Sequence, residues 1–171
     1  MHSKVIPEIY KIREHNGSFL ATMPRPLGDE YIDQEFDGLK KLSVDILVSM
    51  LEPFEARELG LSGEPQAAKR AGIELLSFPI PDCETPKHFE PFKELVSFLV
   101  ARLEAGRNVA IHCHGGIGRC TLVAAAILVS LGDDPSTVFQ VISKARGVTV
   151  PDTEVQLSWF NRVSHEFKTG S

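Results

Sequence analysis

The sequence predicts an α/β domain with a central, mainly parallel sheet flanked by helices. Short apolar runs rich in branched side chains alternate with stretches of helical spacing along the chain. Residues 44–50 are apolar almost throughout, which is typical of a strand buried inside a parallel sheet. The 171 residues suffice for one domain, and no repeat, low-complexity tract or long linker divides residues 1–171.

The predicted elements are, in order, strand 18–22, helix 33–42, strand 44–50, helices 54–59 and 65–71, strand 73–78, helix 89–103, strand 108–111, and helices 119–131, 135–144 and 153–166. In the first half, Pro24 and Pro26 force an extended path after the first strand. Asp33 is expected to cap the first helix, with Phe36 on its buried side. Pro53 suits the first turn of the second helix.

Glycine and proline also mark the later element boundaries. Gly72 closes helix 65–71, and three prolines make residues 79–86 a stiff surface loop. Helix 89–103 carries apolar residues at helical spacing, and Gly106 ends it. Helix 119–131 is apolar and rich in alanine, so it should be buried. The last two helices are expected to begin at the Asp134–Pro135 boundary and after residues 150–153.

The composition argues against several classes of protein. A net charge of −5 and a pI near 5.7 disfavour a nucleic-acid binder with a broad basic face. No apolar run approaches the roughly 20 residues of a membrane helix. The first residues lack the apolar core of a signal peptide. The three cysteines, at 83, 113 and 120, have no framework spacing, so a reducing, cytoplasmic location is expected.

The segment 109–122 combines a strand, a glycine-rich turn and a helix start around Cys113. Three glycines within five residues let successive backbone N–H groups turn inward, and such a nest at a helix N-terminus binds anions. Arg119 can grip two oxygens of a phosphate with its planar guanidinium. The same surroundings favour the thiolate of Cys113, placed for attack on phosphorus. The residues expected to contact the phosphate are His114, Gly115, Gly116, Ile117, Gly118 and Arg119.

This Cys-x5-Arg segment, preceded by His112, resembles the protein tyrosine phosphatase superfamily. The resemblance extends from about residue 19 to 167 and implies a phosphatase-like fold, a phosphocysteine intermediate and no cofactor or metal. A catalytic Asp on a loop is part of this pattern. The run Pro79-Ile-Pro-Asp82 looks like its dual-specificity form, so Asp82 is expected to protonate the leaving oxygen and then activate water. Glu84 is the rival acid.

Position 120 departs from the family pattern. Relatives carry Ser or Thr after the arginine, and that hydroxyl donates a hydrogen bond to the cysteine sulfur. Here Cys120 is a weaker donor, and Thr121 lies one residue out of register. We therefore expect slow hydrolysis of the phosphocysteine rather than slow formation. A second expectation is redox protection, in which Cys113 pairs with Cys120 or Cys83, against the alternative of inert thiols.

Three further residues have supporting roles by resemblance. His112 is expected to orient the loop and keep Cys113 ionised, against the alternative of a plain buried histidine. Arg146 and Gln156 are expected to border the site, against the alternative of surface helix caps. The run His-Cys-His does not predict zinc, because adjacent side chains on a tight loop diverge and no second ligand pair is present.

Within the superfamily, residues 115–125 are most similar to the kinase-associated branch of the dual-specificity phosphatases, which act on a kinase phosphothreonine. The expected partner is a phosphoprotein, with protein kinases among the candidates. Residues 114–118 lack the lysines of phosphoinositide phosphatases, and no deep phosphotyrosine-recognition loop is found. A shallow pocket for phosphotyrosine, and for phosphoserine or phosphothreonine, follows.

Other functions stay open at this point. They are a phosphate-binding module with weak turnover, a phosphatase for non-protein phosphoesters, a rhodanese-like sulfur transferase, and an arsenate reductase. Sulfur-transferase loops do not require an arginine six residues after the cysteine, and arsenate reduction needs further relay cysteines.

Overall fold

The structure, a computed structural model, describes residues 6–169 and contains five strands and seven α-helices within that range. The strands are β1 (Tyr10–His15), β2 (Ser18–Met23), β3 (Ile46–Ser49), β4 (Glu74–Ser77) and β5 (Val109–His112). The helices are α1 (Ile32–Lys41), α2 (Pro53–Glu58), α3 (Glu64–Ala71), α4 (Phe89–Glu104), α5 (Arg119–Ser130), α6 (Val138–Arg146) and α7 (Glu154–Val163). The predicted α/β class with a mainly parallel sheet is confirmed.

The sheet has the order β1-β2-β5-β3-β4, with only β1 antiparallel to its neighbour. In the parallel part, Met23, His112, Ser49 and Ser77 form one row across the carboxyl ends of the four strands. The loops that follow these strands therefore all begin at one edge of the sheet, where ligands of parallel sheets bind.

Apolar side chains cover both faces of the sheet. Helices α1 and α3 pack on one face through residues such as Phe36 and Ala67. Helices α4 to α7 cover the other face, where Phe92 and Phe160 are fully buried. Helix α5 is buried on every side from its first residue to Val129, as its composition predicts. The residue that opens this helix, Arg119, is thus fixed in the core.

Strand β1 was not predicted. It pairs with β2 through a tight turn at Asn16 and Gly17, which both have positive φ, at 51° and 81°. Asn-Gly between two extended runs favours this kind of hairpin, because both residues tolerate left-handed backbone. The turn signal was present in the sequence. The strand was missed because β1 alternates weakly between apolar and polar residues and carries the hydrophilic side chains Lys11, Arg13, Glu14 and His15.

Three predicted boundaries were wrong. Asp33 does not cap α1, because a 3-10 turn over Asp29–Tyr31 leads into the helix. The carboxylate of Asp33 binds the guanidinium of Arg70 at 2.7 Å instead. Helix α6 begins at Val138 rather than at Pro135, since Asp134 accepts hydrogen bonds from Ser136 in a local turn. The final α-helix ends at Val163 and continues as a 3-10 turn over Ser164–Phe167.

Candidate active site

The glycine-rich loop, which we call the catalytic loop, runs from Cys113 to Gly118, between the end of β5 and the start of α5. Gly116 has φ 74°, and a Cβ there would stand 2.8 Å from the carbonyl carbon of Met23. The amide of Arg25 donates to the carbonyl of His114 at 3.0 Å. The loop is therefore pressed against the segment that follows β2, and only glycine fits at position 116.

Cys113 lies at the bottom of this loop with 3% of its surface exposed. Its sulfur accepts a hydrogen bond from the Cys120 thiol, 3.4 Å away, and from the backbone N–H groups of Cys120, Gly118 and Gly116. These donors, the Cys120 thiol first among them, outweigh burial and lower the pKa of Cys113 to about 5. The sulfur is therefore a thiolate at neutral pH.

Cys120 and Thr121 occupy different environments at the start of α5. Cys120 is fully buried, and burial together with its hydrogen bond to Cys113 raises its pKa well above the ordinary value. The Thr121 hydroxyl donates to the carbonyl of Gly118 at 2.6 Å, which ties it to the helix start. The thiol of Cys120, not the hydroxyl of Thr121, is thus the side-chain donor to the Cys113 sulfur.

Arg119 is 1% exposed and lies among oxygen acceptors. Both its terminal nitrogens contact the carboxylate of Glu55, at 2.7 and 3.0 Å. It also donates to the carbonyl of Ile80 at 2.7 Å and to the carboxylate of Asp82 at 3.2 Å. Burial alone would lower the pKa of Arg119, but the hydrogen bonds to Glu55 and the charge of Cys113 raise it.

Sequence reasoning missed Glu55. It lies in the first turn of α2, where its side chain also accepts from the backbone N–H of Glu52 at 3.1 Å. An acidic residue in the first turn of a helix is a common capping residue. Nothing in the sequence therefore indicated that Glu55 also binds Arg119. Burial would raise the pKa of Glu55, but Arg119 holds it below the ordinary value. The two hydrogen bonds from one carboxylate fix the plane of the Arg119 guanidinium.

Asp82 lies on the proline-rich loop after β4, and its side chain is 58% exposed. It is the carboxylate of this loop that contacts Arg119, whereas the carboxylate of Glu84 has no such contact in residues 6–169. The loop turns sharply at Cys83, which has φ 65°. We call residues 79–86 the acid loop.

The start of α7 holds the acid loop. The hydroxyl of Thr153 donates to the carbonyl of Cys83, and the side-chain amide of Gln156 donates to the carbonyl of Glu84, both at 3.2 Å. Gln156 is fully buried, and a Cβ on Gly118 would lie 3.1 Å from its amide nitrogen. Gln156 therefore spans the catalytic loop and the acid loop, and it also completes the capping box of α7 with Thr153.

Arg146, at the end of α6, contacts the catalytic loop at Gly115 and Gly116. Its guanidinium donates to the carbonyls of Gly115 and Gly116 at 3.2 and 3.3 Å. It also stacks over the ring of Tyr10, with 4.1 Å to the ring centroid. Tyr10 was not a predicted site residue, because the strand that carries it was not predicted.

His112 is fully buried beneath the loop. Its Nε2 atom lies 3.1 Å from a carboxylate oxygen of Glu64, and its Nδ1 atom lies 3.3 Å from the carbonyl oxygen of Cys113. Burial would lower the pKa of His112, but the charge of Glu64 outweighs it and raises that pKa. Glu64, in the first turn of α3, is the second carboxylate that sequence reasoning missed.

The remaining predicted residues lie at the rim. His114 and Gly115 are exposed and Ile117 is half-buried. Cys83 is exposed, with its sulfur 3.7 Å from a carboxylate oxygen of Asp152.

The structure brings Cys113, Cys120, Arg119 and Asp82 into one connected cluster. No group of three or more His, Cys, Asp or Glu in the described part of the chain is arranged to hold a metal ion.

A family model described as "Polymorphic toxin system, DSP-PTPase phosphatase" matches residues 21–133. Cyclin-dependent kinase inhibitor 3 of Rattus norvegicus is 34% identical over 99 residues, which cover 57% of this chain and 44% of the rat protein. The protein of the same name from Homo sapiens is 32% identical over 102 residues, covering 58% and 46%. Each match spans less than half of the relative's own length.

Among solved structures, a kinase associated phosphatase whose catalytic site cysteine is replaced by serine superposes with a TM-score of 0.85. The match covers 99% of this chain and 100% of that chain at 20% identity. At this identity the likeness shows a shared fold.

Proposed function

The chain belongs to the DSP-PTPase phosphatase family, and on that premise we propose that it is a Cys-dependent protein phosphatase that hydrolyses phosphotyrosine and, in a shallow pocket, phosphoserine and phosphothreonine. The observation that carries the proposal is the thiolate of Cys113, which lies under inward-facing loop N–H groups beside Arg119. Such a nest with an arginine beside it binds a phosphoryl group and places the thiolate for attack at phosphorus.

The first chemical step transfers the phosphoryl group to sulfur. The Cys113 thiolate attacks phosphorus while the bond from phosphorus to the substrate oxygen breaks. Arg119 and the loop N–H groups hold the three equatorial oxygens, where charge accumulates. Asp82 protonates the leaving oxygen, which reaches the site from the side of the acid loop.

The second step hydrolyses the phosphocysteine. Water attacks phosphorus, the Asp82 carboxylate takes up its proton, and the bond from sulfur to phosphorus breaks to release inorganic phosphate. The returning thiolate is stabilised by the thiol of Cys120, which is 3.4 Å away. Because a thiol is a weaker donor than a hydroxyl, we expect Cys120 to slow hydrolysis of the phosphocysteine and not its formation.

The proposed partner is a phosphoprotein, with protein kinases as candidates. Support comes from the relatives named cyclin-dependent kinase inhibitor 3 and from the fold shared with a kinase associated phosphatase. We assign the protein to the cytoplasm, where a reducing environment keeps a thiolate nucleophile active. No helix within residues 6–169 is long and apolar enough to cross a membrane.

The test compares wild type, Cys113→Ser, Asp82→Asn and the control Cys83→Ser on pNPP and on one peptide carrying phosphotyrosine or phosphothreonine. We expect Cys113→Ser to abolish turnover, Asp82→Asn to lower it about a hundredfold, and Cys83→Ser to leave it unchanged. Phosphate binding without turnover in wild type would indicate a binding module instead. Full turnover in Asp82→Asn would remove Asp82 from the mechanism.

A further inference from the structure

The contact between His112 and Glu64 joins two buried side chains from distant parts of the chain. The His112 side chain is 0% exposed and that of Glu64 is 5% exposed, and they lie 48 residues apart in sequence. A buried carboxylate and a buried imidazole are each unfavourable alone, so their pairing requires a compensating interaction. No step of the reaction described above uses Glu64.

Both neighbours of the imidazole ring are acceptors. Nε2 faces a carboxylate oxygen of Glu64 at 3.1 Å, and Nδ1 faces the carbonyl oxygen of Cys113 at 3.3 Å. A neutral ring has one N–H group, so it would present a nitrogen lone pair to one of the two oxygens. With Glu64 ionised, only the imidazolium donates to both, and the raised pKa of His112 agrees with this form.

Resting on the proposed function, we propose that Glu64 is a positioning residue that holds His112 as an imidazolium, thereby fixing the carbonyl of Cys113 and supporting its thiolate. The peptide after Cys113 is the first of the catalytic loop. With its carbonyl bound to His112, the following N–H groups are free to face the sulfur. The imidazolium contacts the loop directly through Nδ1, whereas Glu64 contacts the other ring nitrogen, Nε2, so we expect the pair as a whole to favour the thiolate.

The other charged groups of the site approach from different elements. Arg119 and Cys120 face Cys113 from α5, while Glu55 on α2 and Asp82 on the acid loop contact Arg119. None of these groups contacts the His112 ring in the described residues. Glu64→Gln therefore changes one charge beneath the loop and leaves the others in place.

The substitution Glu64→Gln also preserves shape. A glutamine amide can donate to Nε2 of a neutral ring whose Nδ1–H still bonds the carbonyl of Cys113. The variant thus removes the charge and keeps the contacts. The matched control is Glu58→Gln, at an exposed position of α2.

The readout is the pH dependence of Cys113 alkylation by iodoacetamide, followed by mass spectrometry. Trypsin cleavage after Arg107 and Arg119 gives a peptide, residues 108–119, whose only cysteine is Cys113. We expect Glu64→Gln to move the midpoint up by about one pH unit, and the alkylation rate at pH 5 to fall several-fold. Glu58→Gln should match wild type. Alkylation needs no turnover, so this result stands apart from the phosphatase assay.

A double-variant cycle separates this role from a merely structural one. If Glu64 acts through His112, adding Glu64→Gln to His112→Gln changes nothing further. An unchanged midpoint in Glu64→Gln, or an equal shift in the His112→Gln background, overturns the proposal. Nitrogen-15 spectra of wild type provide a measurement independent of variant folding: a neutral His112 ring at pH 7 also overturns it.

Discussion

The sulfur atoms of Cys113 and Cys120 lie 3.4 Å apart in the buried floor of the catalytic loop, and the two thiols have opposite pKa shifts. Cys113 is the acceptor and Cys120 the donor of their hydrogen bond. This contact is the largest of several that favour the Cys113 thiolate, and in the proposed mechanism it also stabilises that thiolate as it leaves phosphorus.

Cys120→Ser places a stronger donor at this contact. We expect breakdown of the phosphocysteine to accelerate about fivefold, from a gain of roughly 1 kcal/mol in the hydrogen bond to the leaving thiolate. Burst kinetics with pNPP measure this as a smaller burst and a faster steady state. Cys120→Ala, which removes the donor, should have the opposite effect. Identical turnover in wild type and Cys120→Ser would contradict the role assigned to Cys120.

Mild peroxide should link Cys113 to Cys120. The Cys113 thiolate is oxidised to a sulfenic acid, which the Cys120 thiol attacks with loss of water, so that one peroxide oxidises two thiols. Mass spectrometry after trypsin should find residues 108–119 joined to 120–144. Exposed Cys83, whose sulfur contacts Asp152, should not be part of this bridge. Overoxidised Cys113 without any linked peptide would exclude it.

Glu55→Gln should weaken the hold on Arg119. We expect kcat/KM for pNPP to fall about tenfold or more, because a charged hydrogen bond of the guanidinium is lost. The exposed Glu58→Gln on the same helix serves as control. Unaltered kcat/KM would mean that Ile80 and Asp82 suffice to orient Arg119.

Glu55 also makes stability depend on pH. Its pKa is lower in the folded chain than the unfolded value of about 4.3, because of Arg119. Its contribution is therefore complete above that value and is lost as pH falls through the folded pKa. Urea denaturation of wild type and Glu55→Gln should give stabilities that differ at pH 7 and converge at lower pH. A constant difference would show that the charge of Glu55 is not involved.

Gly116→Ala should disrupt the catalytic loop. Gly116 and Gly147 both have left-handed backbone, with φ 74° and 84°, but only Gly116 has backbone within contact of a new Cβ. We expect Gly147→Ala to lower stability by about 1 kcal/mol and Gly116→Ala to lower it further, with loss of turnover. Urea denaturation and pNPP hydrolysis provide the two readouts. Equal losses of stability for Gly116→Ala and Gly147→Ala would show that the clash with the backbone of Met23 is not the cause.

Gln156→Leu should loosen the acid loop, since the amide contact to the carbonyl of Glu84 is lost. The effect should grow with the basicity of the leaving group, because a poor leaving group depends more on protonation by Asp82. Comparing phenyl phosphate with pNPP measures this dependence, with exposed Glu154→Gln as control. An equal loss on both substrates would place Gln156 outside the protonation step.

The sequence predicted four of the five described strands, the glycine-rich turn and the loop carrying Asp82, because each rests on a local pattern of apolar runs, glycines or prolines. Glu55 and Glu64 escaped prediction for a physical reason. Both lie in first turns of helices, where acidic residues are common, and their partners lie 64 and 48 residues away. A local pattern does not reveal whether such a carboxylate faces water or the core.

The position of Arg119 between two carboxylates has a consequence for the thermodynamics of ligand binding. One guanidinium faces three anionic groups, those of Glu55, Asp82 and Cys113. A phosphate dianion entering this site adds negative charge to a cluster that already has an excess of it. Binding and proton uptake are therefore linked equilibria. The binding enthalpy of inorganic phosphate should accordingly vary with the ionisation enthalpy of the buffer.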